Sequence, residues 1–162
     1  MSTPNPTIPD QNDAVEVSHQ GVLIVDDNEQ NLELLQAYLD DLGGPVRVVS
    51  DGIQAIKSVE QDPPDIILLD IMMPKMSGYQ VCKQLKGSAE TKDIPIIMVT
   101  ALSEVGDVER AIDVGADDFL TKPVNKVELL TRVKSLLRVR QLKRNLDDAV
   151  AEVRALRDQA GD

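Results

Sequence analysis

Three separated stretches of this chain are four residues of unbroken apolar character: Val22-Leu23-Ile24-Val25, Ile66-Ile67-Leu68-Leu69 and Ile96-Ile97-Met98-Val99. A run of that length with no polar alternation suits a strand covered by helices on both sides, as in a parallel sheet. Each run stops on a polar side chain, at Asp26-Asp27, Asp70 and Thr100. In an open parallel sheet the carboxyl ends of the strands share one edge, and ligands bind there. The pattern therefore constrains both the fold class and the place of any chemistry.

The segments between these runs read as helices and lesser strands. From Asn28 onward, Leu32, Leu35, Leu39 and Leu42 keep helical spacing up to Gly43-Gly44. Val46-Arg47-Val48 alternates, as a less completely covered strand does. Ile53, Ile56 and Val59 predict a short helix closed by Pro63-Pro64. After Met73-Pro74, a helix near Gly78 to Lys86 turns Val81 and Leu85 inward, with Tyr79 and Cys82 packed on or beside it. Another helix, around Glu104 to Val114, stops at Gly115. Phe119-Leu120 makes a brief fifth strand ending at Lys122-Pro123, and a final helix begins near Val124. Five strands alternating with five helices predict an α/β fold, a doubly wound five-stranded parallel sheet. The three apolar strands belong in its centre and the other two at its edges. That agrees with the flavodoxin-like order 2-1-3-4-5, although these observations alone leave other orders open.

At 162 residues there is room for one domain and an appendage. Aromatic residues are 2% of the chain, so the core must be built from Ile, Leu, Val, Ala and Met. A formal net charge of −11 argues against a nucleic-acid-binding face and against docking on an anionic membrane. Cys82 is the one cysteine, which excludes an intramolecular disulfide and a cysteine metal cluster. No apolar run approaches membrane-spanning length and no signal peptide opens the chain, so a soluble, cytoplasmic protein is expected. Residues 1–20, with Pro4, Pro6 and Pro9, predict a disordered tail, and His19 within it reads as solvated.

Five polar side chains stand at the ends of four strands: Asp26, Asp27, Asp70, Thr100 and Lys122. Singly, each could be a solvated strand terminus or a turn cap. Together they would converge on one crevice. Three carboxylates held close repel one another, and one is driven protonated unless a cation intervenes. Magnesium (Mg2+) suits such a site, because it takes hard oxygen ligands and binds one or two carboxylates plus substrate phosphate. No His or Cys lies near to suggest a softer metal. Lys122 adds a fixed positive charge and Thr100 a hydroxyl donor. A carboxylate nucleophile, a divalent cation, an ammonium and a hydroxyl are the parts needed to form an aspartyl phosphate.

The stretches VLIVDDN, IILLDIMMPKMSG, PIIMVTA and FLTKPV resemble the four motifs of the receiver domain of two-component response regulators. The resemblance covers about residues 21–140, with motif order and separations kept. It implies that Asp70 is the phosphoacceptor. It also implies that Asp26 and Asp27 bind magnesium with Asp70, joined by the backbone carbonyl of Met72. Lys122 would pair with the phosphoryl group, and Thr100 would hydrogen-bond it after moving inward. Phe119 falls at the switch aromatic position, and a cis peptide is implied at Lys122-Pro123. The implied donor is a histidine kinase or a histidine phosphotransfer protein. Two positions that the family uses to tune dephosphorylation are Met72 and Leu102, both apolar, from which slow self-hydrolysis is expected. The wording of DIMMPKMSGYQVCKQLK and GADDFLTKPVNKVELLTRVKSLLR is most similar to receivers fused to cyclic-di-GMP synthase or phosphodiesterase domains. No such catalytic domain is present in this sequence.

A receiver (residues 21–138) would be followed by a helical extension (residues 139–162). There Val139, Leu142, Leu146, Ala149, Val153, Leu156 and Ala160 step by three and four, the a/d stripe of a coiled coil. Glu152 and Arg157 fall at g and e positions, where a parallel homodimer would pair them. The alternative is an amphipathic helix that folds back on the domain or docks another protein. Arg138, Arg140, Lys143 and Arg144 form a basic cluster, read as a solvated face or a contact for an acidic partner. Two further functions are weighed. In a coiled-coil adaptor the receiver would be only a docking head, which does not need the five polar residues. A magnesium-dependent phosphohydrolase would want a second acid two residues after Asp70, where Met72 stands.

Overall fold

The computed structural model describes residues 21–161; the expected tail, with His19, lies outside them. Five strands, β1 (Val22–Val25), β2 (Val46–Val49), β3 (Ile66–Leu69), β4 (Ile96–Thr100) and β5 (Asp118–Thr121), pair in parallel in the order β2-β1-β3-β4-β5. The crossovers are α1 (Glu29–Leu39), α2 (Gly52–Gln61), α3 (Gly78–Lys86) and α4 (Val105–Asp113), and α5 (Lys126–Ala160) follows β5. The three apolar strands are central and buried along their whole length, as expected of strands with helices on both faces. Alternate side chains serve opposite layers. Leu23, Val25, Ile67, Leu69, Ile96 and Met98 pack toward α2, α3 and α4. Val22, Ile24, Ile66, Leu68, Ile97 and Val99 pack toward α1 and α5.

Most helices start on a side chain that accepts an otherwise orphaned N–H. Asn28 caps α1, Asp51 caps α2, and Asn125 caps α5 through the Glu128 N–H at 3.0 Å. Ser77 and Gln80 form a reciprocal capping box at α3. The sequence reading places β1, β3, α3 and β4 closely and differs in detail at other elements. Helix α1 ends at Leu39 and tightens into a 3-10 turn (Asp40–Leu42), which Gly43 closes at φ 74°. The buried stripe of α2 is Gly52, Ala55, Ile56 and Val59, and Ile53 faces solvent. Gly52 is buried because the side chains of Val81 and Met76 crowd the space where a Cβ would sit.

Helix α5 is 35 residues without a break. Leu129, Val133 and Leu137, spaced by four, dock it on the sheet. The basic cluster beyond them is not simply a solvated face: three of its cations also pair with acids of the domain. Arg140 Nε lies 3.4 Å and Arg144 Nη1 3.1 Å from the buried carboxylate of Asp65. Arg140 also donates to the Asp93 carbonyl at 2.9 Å, and Lys143 Nζ lies 2.6 Å from the Asp93 carboxylate. The acidic partner of three of these four cations is thus the chain itself, at the loops that enter β3 and β4. Among the described residues no helix is long and apolar enough to cross a membrane.

Candidate functional site

Register brings the acids together. Val25 of β1 is level with Leu69 of β3, so Asp26 and Asp70 leave adjacent strands at the same height. The Asp70 N–H donates to the Val25 carbonyl at 2.9 Å and the Asp26 N–H to the Val49 carbonyl at 3.3 Å. On the other side, the Lys122 N–H donates to the Thr100 carbonyl at 2.8 Å, which carries the lysine into the same crevice. Its ammonium lies 2.7 Å from Asp26 Oδ2 and 3.3 Å from Asp70 Oδ2. Asp26 and Asp70 are buried and Asp27 is exposed, and one carboxylate oxygen from each falls within 4.8 Å of the others. The peptide between Lys122 and Pro123 is cis.

The loop after β3 is shaped to hold Asp70 in place. The Met72 N–H points at Asp70 Oδ1, 3.4 Å away, while the Met72 side chain is exposed. The Gly78 N–H closes the loop on the Ile71 carbonyl at 2.9 Å. A Cβ on Gly78 would sit 2.2 Å from the Asp70 carbonyl oxygen and 2.8 Å from Ile71 Cα, so only glycine fits. Across the crevice, the Asn28 N–H donates to Asp26 Oδ1 at 2.9 Å. Each buried acid therefore has a backbone donor on one oxygen and Lys122 on the other.

Burial raises the Asp70 carboxyl above its usual value, the Lys122 charge opposes this, and the nearby Asp26 charge adds to it. For Lys122 burial works against the ammonium, but the bonds to Asp26 and Asp70 outweigh it and the net direction is up. The site thus keeps one cation for three acids, leaving negative charge uncompensated. The donor set is entirely oxygen, with carboxylates from three positions at mutual ion-sharing distance, and it fits a hard divalent cation such as Mg2+.

Thr100 is fully buried, and its hydroxyl oxygen accepts from the Leu102 N–H at 3.3 Å. Phe119 is half-buried, level with Met98 of β4, and packs with the layer that includes α4. Leu102 is also partly buried against that layer. The crevice brings Asp26, Asp27, Asp70 and Lys122 together. Thr100 and Phe119 are at its β4 and β5 side and lack a hydrogen bond to the acids among those described.

The family sequence pattern described as response regulator receiver domain matches residues 22–134. This chain belongs to that family. The receiver is similar to the response regulator PleD of Caulobacter vibrioides, at 46% identity over 72% of this chain and 26% of that protein. It is also similar to the alkaline phosphatase synthesis transcriptional regulatory protein PhoP of Bacillus subtilis, at 44% identity over 72% of this chain and 48% of that one. The chain therefore spans about a quarter to a half of these relatives. Among solved structures, the receiver domain of a signal transduction histidine kinase from Syntrophus aciditrophicus superposes with a TM-score of 0.69 at 39% identity, over 74% of this chain and 90% of that one. The receiver domain of a sensor histidine kinase from Pseudomonas aeruginosa, solved with magnesium coordinated in its active-site cleft, gives 0.68 at 35% identity, over 73% and 97%.

Two residues of this receiver carry more than their sequence suggested. Gly78 reads from the sequence only as the opening of a helix; its role in letting the loop close against Asp70 depends on a backbone approach with no sequence signal beyond the glycine itself. Tyr79 packs in the core, but its hydroxyl also donates to the Asp107 carbonyl at 3.0 Å and Arg110 lies over its ring at 4.3 Å. It thereby ties α3, at the mouth of the crevice, to α4.

Proposed function

We propose that this receiver accepts a phosphoryl group on Asp70 from a histidine kinase or a histidine phosphotransfer protein. The observation that carries the reading is Lys122, whose ammonium touches both Asp26 and Asp70 in one crevice with a third acid beside them. An Asp70 carboxylate oxygen attacks the phosphorus of a phosphohistidine; the new O–P bond forms as the N–P bond breaks, and the imidazole nitrogen leaves with the electron pair. Asp26, Asp27, Asp70 and the Met72 carbonyl would hold magnesium, which when bound supplies positive charge beside the phosphoryl oxygens. Lys122 is placed to give up part of its contact with Asp70 and bond a phosphoryl oxygen.

Signalling follows from the same geometry. In this reading Thr100 moves inward to bring its hydroxyl, which now accepts from the Leu102 N–H, to a phosphoryl oxygen, and Phe119 turns into the space behind it. The face made by α4, β5 and α5 changes, and α5 carries the change onward, as a homodimer or to another protein. In this reading the chain is a phosphoacceptor that at most catalyses its own phosphorylation and slow dephosphorylation.

The test is exposure to a small acyl phosphate with magnesium, followed by intact mass. Wild type should gain one phosphoryl group and Asp70→Asn none. Uptake by Asp70→Asn, or none by wild type, would refute the proposal. Loss of the group should be slow, because neither Met72 nor Leu102 can orient a water, and replacing Met72 with Glu or Asn should change that rate.

A further inference from the structure

The helical extension has two opposite faces with different jobs, and the second of them has no partner among the described residues. On one face, Arg140 and Arg144 grip Asp65. On the other, Val139, Leu142, Leu146, Val153 and Leu156 are each more than half exposed. At roughly 100° per residue, 139 lies about 200° from 137, 142 from 140, and 146 from 144. Leu137 is buried against the domain and residues 140 and 144 are its ionic grips, so the apolar stripe points almost directly away from the receiver.

The stripe is also bounded where the domain ends. Continued back by one and two heptads, its positions fall on Asn125, Glu128, Arg132 and Ser135, all polar. It begins at Val139, and its members alternate in steps of three and four, the spacing of a two-stranded seam rather than the wider stripe of a helix lying on a domain.

Resting on the proposed role of α5 in output, we propose that this face binds a second copy of the chain as a parallel, in-register coiled coil, with the two receivers on its outer sides. Charge favours this orientation in the last heptads; nearer the domain the corresponding g and e residues, Arg138 and Lys143, are of like charge, with Lys143 held by Asp93 instead. With Val139 and Leu142 at a and d, Glu152 is a g residue and Arg157 the e residue five positions on, which is the pair that meets between chains in a parallel coil. An antiparallel pairing would set g against g and e against e, placing Lys143 and Arg157 on a common flank. The grip on Asp65 and Asp93 holds the receiver off the seam, so the coil need not displace it. Asp70 lies at the opposite end of β3 from Asp65 and remains open in the dimer.

The test uses the full chain. Sedimentation equilibrium should give twice the chain mass for wild type and once that mass for Leu146→Asp. Glu152→Arg should weaken the dimer, and Glu152→Arg combined with Arg157→Glu should restore it. In the Leu146→Cys variant mild oxidation should link the two chains, because equal a positions meet only in a parallel coil; Cys82 is buried and should not compete. A monomeric wild type at its highest soluble concentration, a Leu146→Asp that stays dimeric, or a Leu146→Cys that never cross-links would each overturn the proposal. Phosphoryl uptake measured on Leu146→Asp should equal wild type, which separates failure of the dimer from failure of Asp70 as acceptor.

Discussion

Asp65→Asn removes one charge and leaves the shape of the side chain unchanged, and the structure predicts an effect far larger than an ordinary surface pair would give. The carboxylate is 3% exposed and the Arg140 side chain 13% exposed, while Arg144 is 41% exposed. Burial already presses the Arg140 guanidinium toward its neutral form, the Arg144 charge adds to that, and Asp65 opposes it. Removing one member of a buried pair typically costs about 3–5 kcal/mol, because the other charge stays desolvated. Arg144 can turn to water and Arg140 keeps the Asp93 carbonyl at 2.9 Å, so the cost should fall somewhat below that scale, to about 2–3 kcal/mol. With a urea slope of about 2 kcal/mol per molar, the unfolding midpoint should fall by about 1–1.5 M. Asp93→Asn is the control, since both ends of its pair with Lys143 are about half exposed and such pairs contribute little. If Asp65→Asn moved the midpoint no further than Asp93→Asn, the account of α5 as a helix fixed to the domain by a buried carboxylate would be wrong.

Three further outcomes are expected. Gly78→Ala places a Cβ against backbone atoms that have no flexible end to move, so it should cost about 2–3 kcal/mol in urea unfolding and weaken magnesium binding measured by titration. In chelator, Asp70→Asn should melt higher than wild type at neutral pH: the folded carboxyl titrates above the usual 3.8, so wild type has its full stability below that value and loses some as pH rises through the raised one. The two melting curves should therefore converge in acid, and a gap independent of pH would show that the charge is not responsible. Burial lifts the Cys82 thiol to about 11, so at pH 8 alkylation should be slow in the native protein and fast in urea; equal rates would contradict its placement.

The strands were legible because burial on both faces leaves no room for polar residues, so Ile66 to Leu69 announce themselves without any tertiary knowledge. Asp26, Asp70, Thr100 and Lys122 were legible for a related reason: each ends a strand, and parallel pairing puts strand ends on one edge. What the chain does not reveal locally is phase and pairing at a distance. Ile53 sits one residue off the buried stripe of α2, where Gly52 and Ala55 are too small to signal that they face the core. The partners of the basic turn in α5 are far back in the chain, Lys143 and Asp93 being 50 residues apart, and an acidic loop residue carries no mark of the cation it will meet. The same holds for Tyr79, read correctly as a packing residue on or beside α3, within which it lies, and whose polar end reaches Asp107 28 residues on.

That tyrosine gives the protein an optical probe of its own. The sequence has no tryptophan and two tyrosines, of which Tyr38 is half-buried on α1, in the other layer. Tyr79 emission is set by what lies above its ring and at the end of its hydroxyl, and both belong to α4. A displacement of that helix would register as a change in ultraviolet fluorescence from the unlabelled molecule, followed in real time as the donor is mixed in, with Tyr79→Phe as the blank.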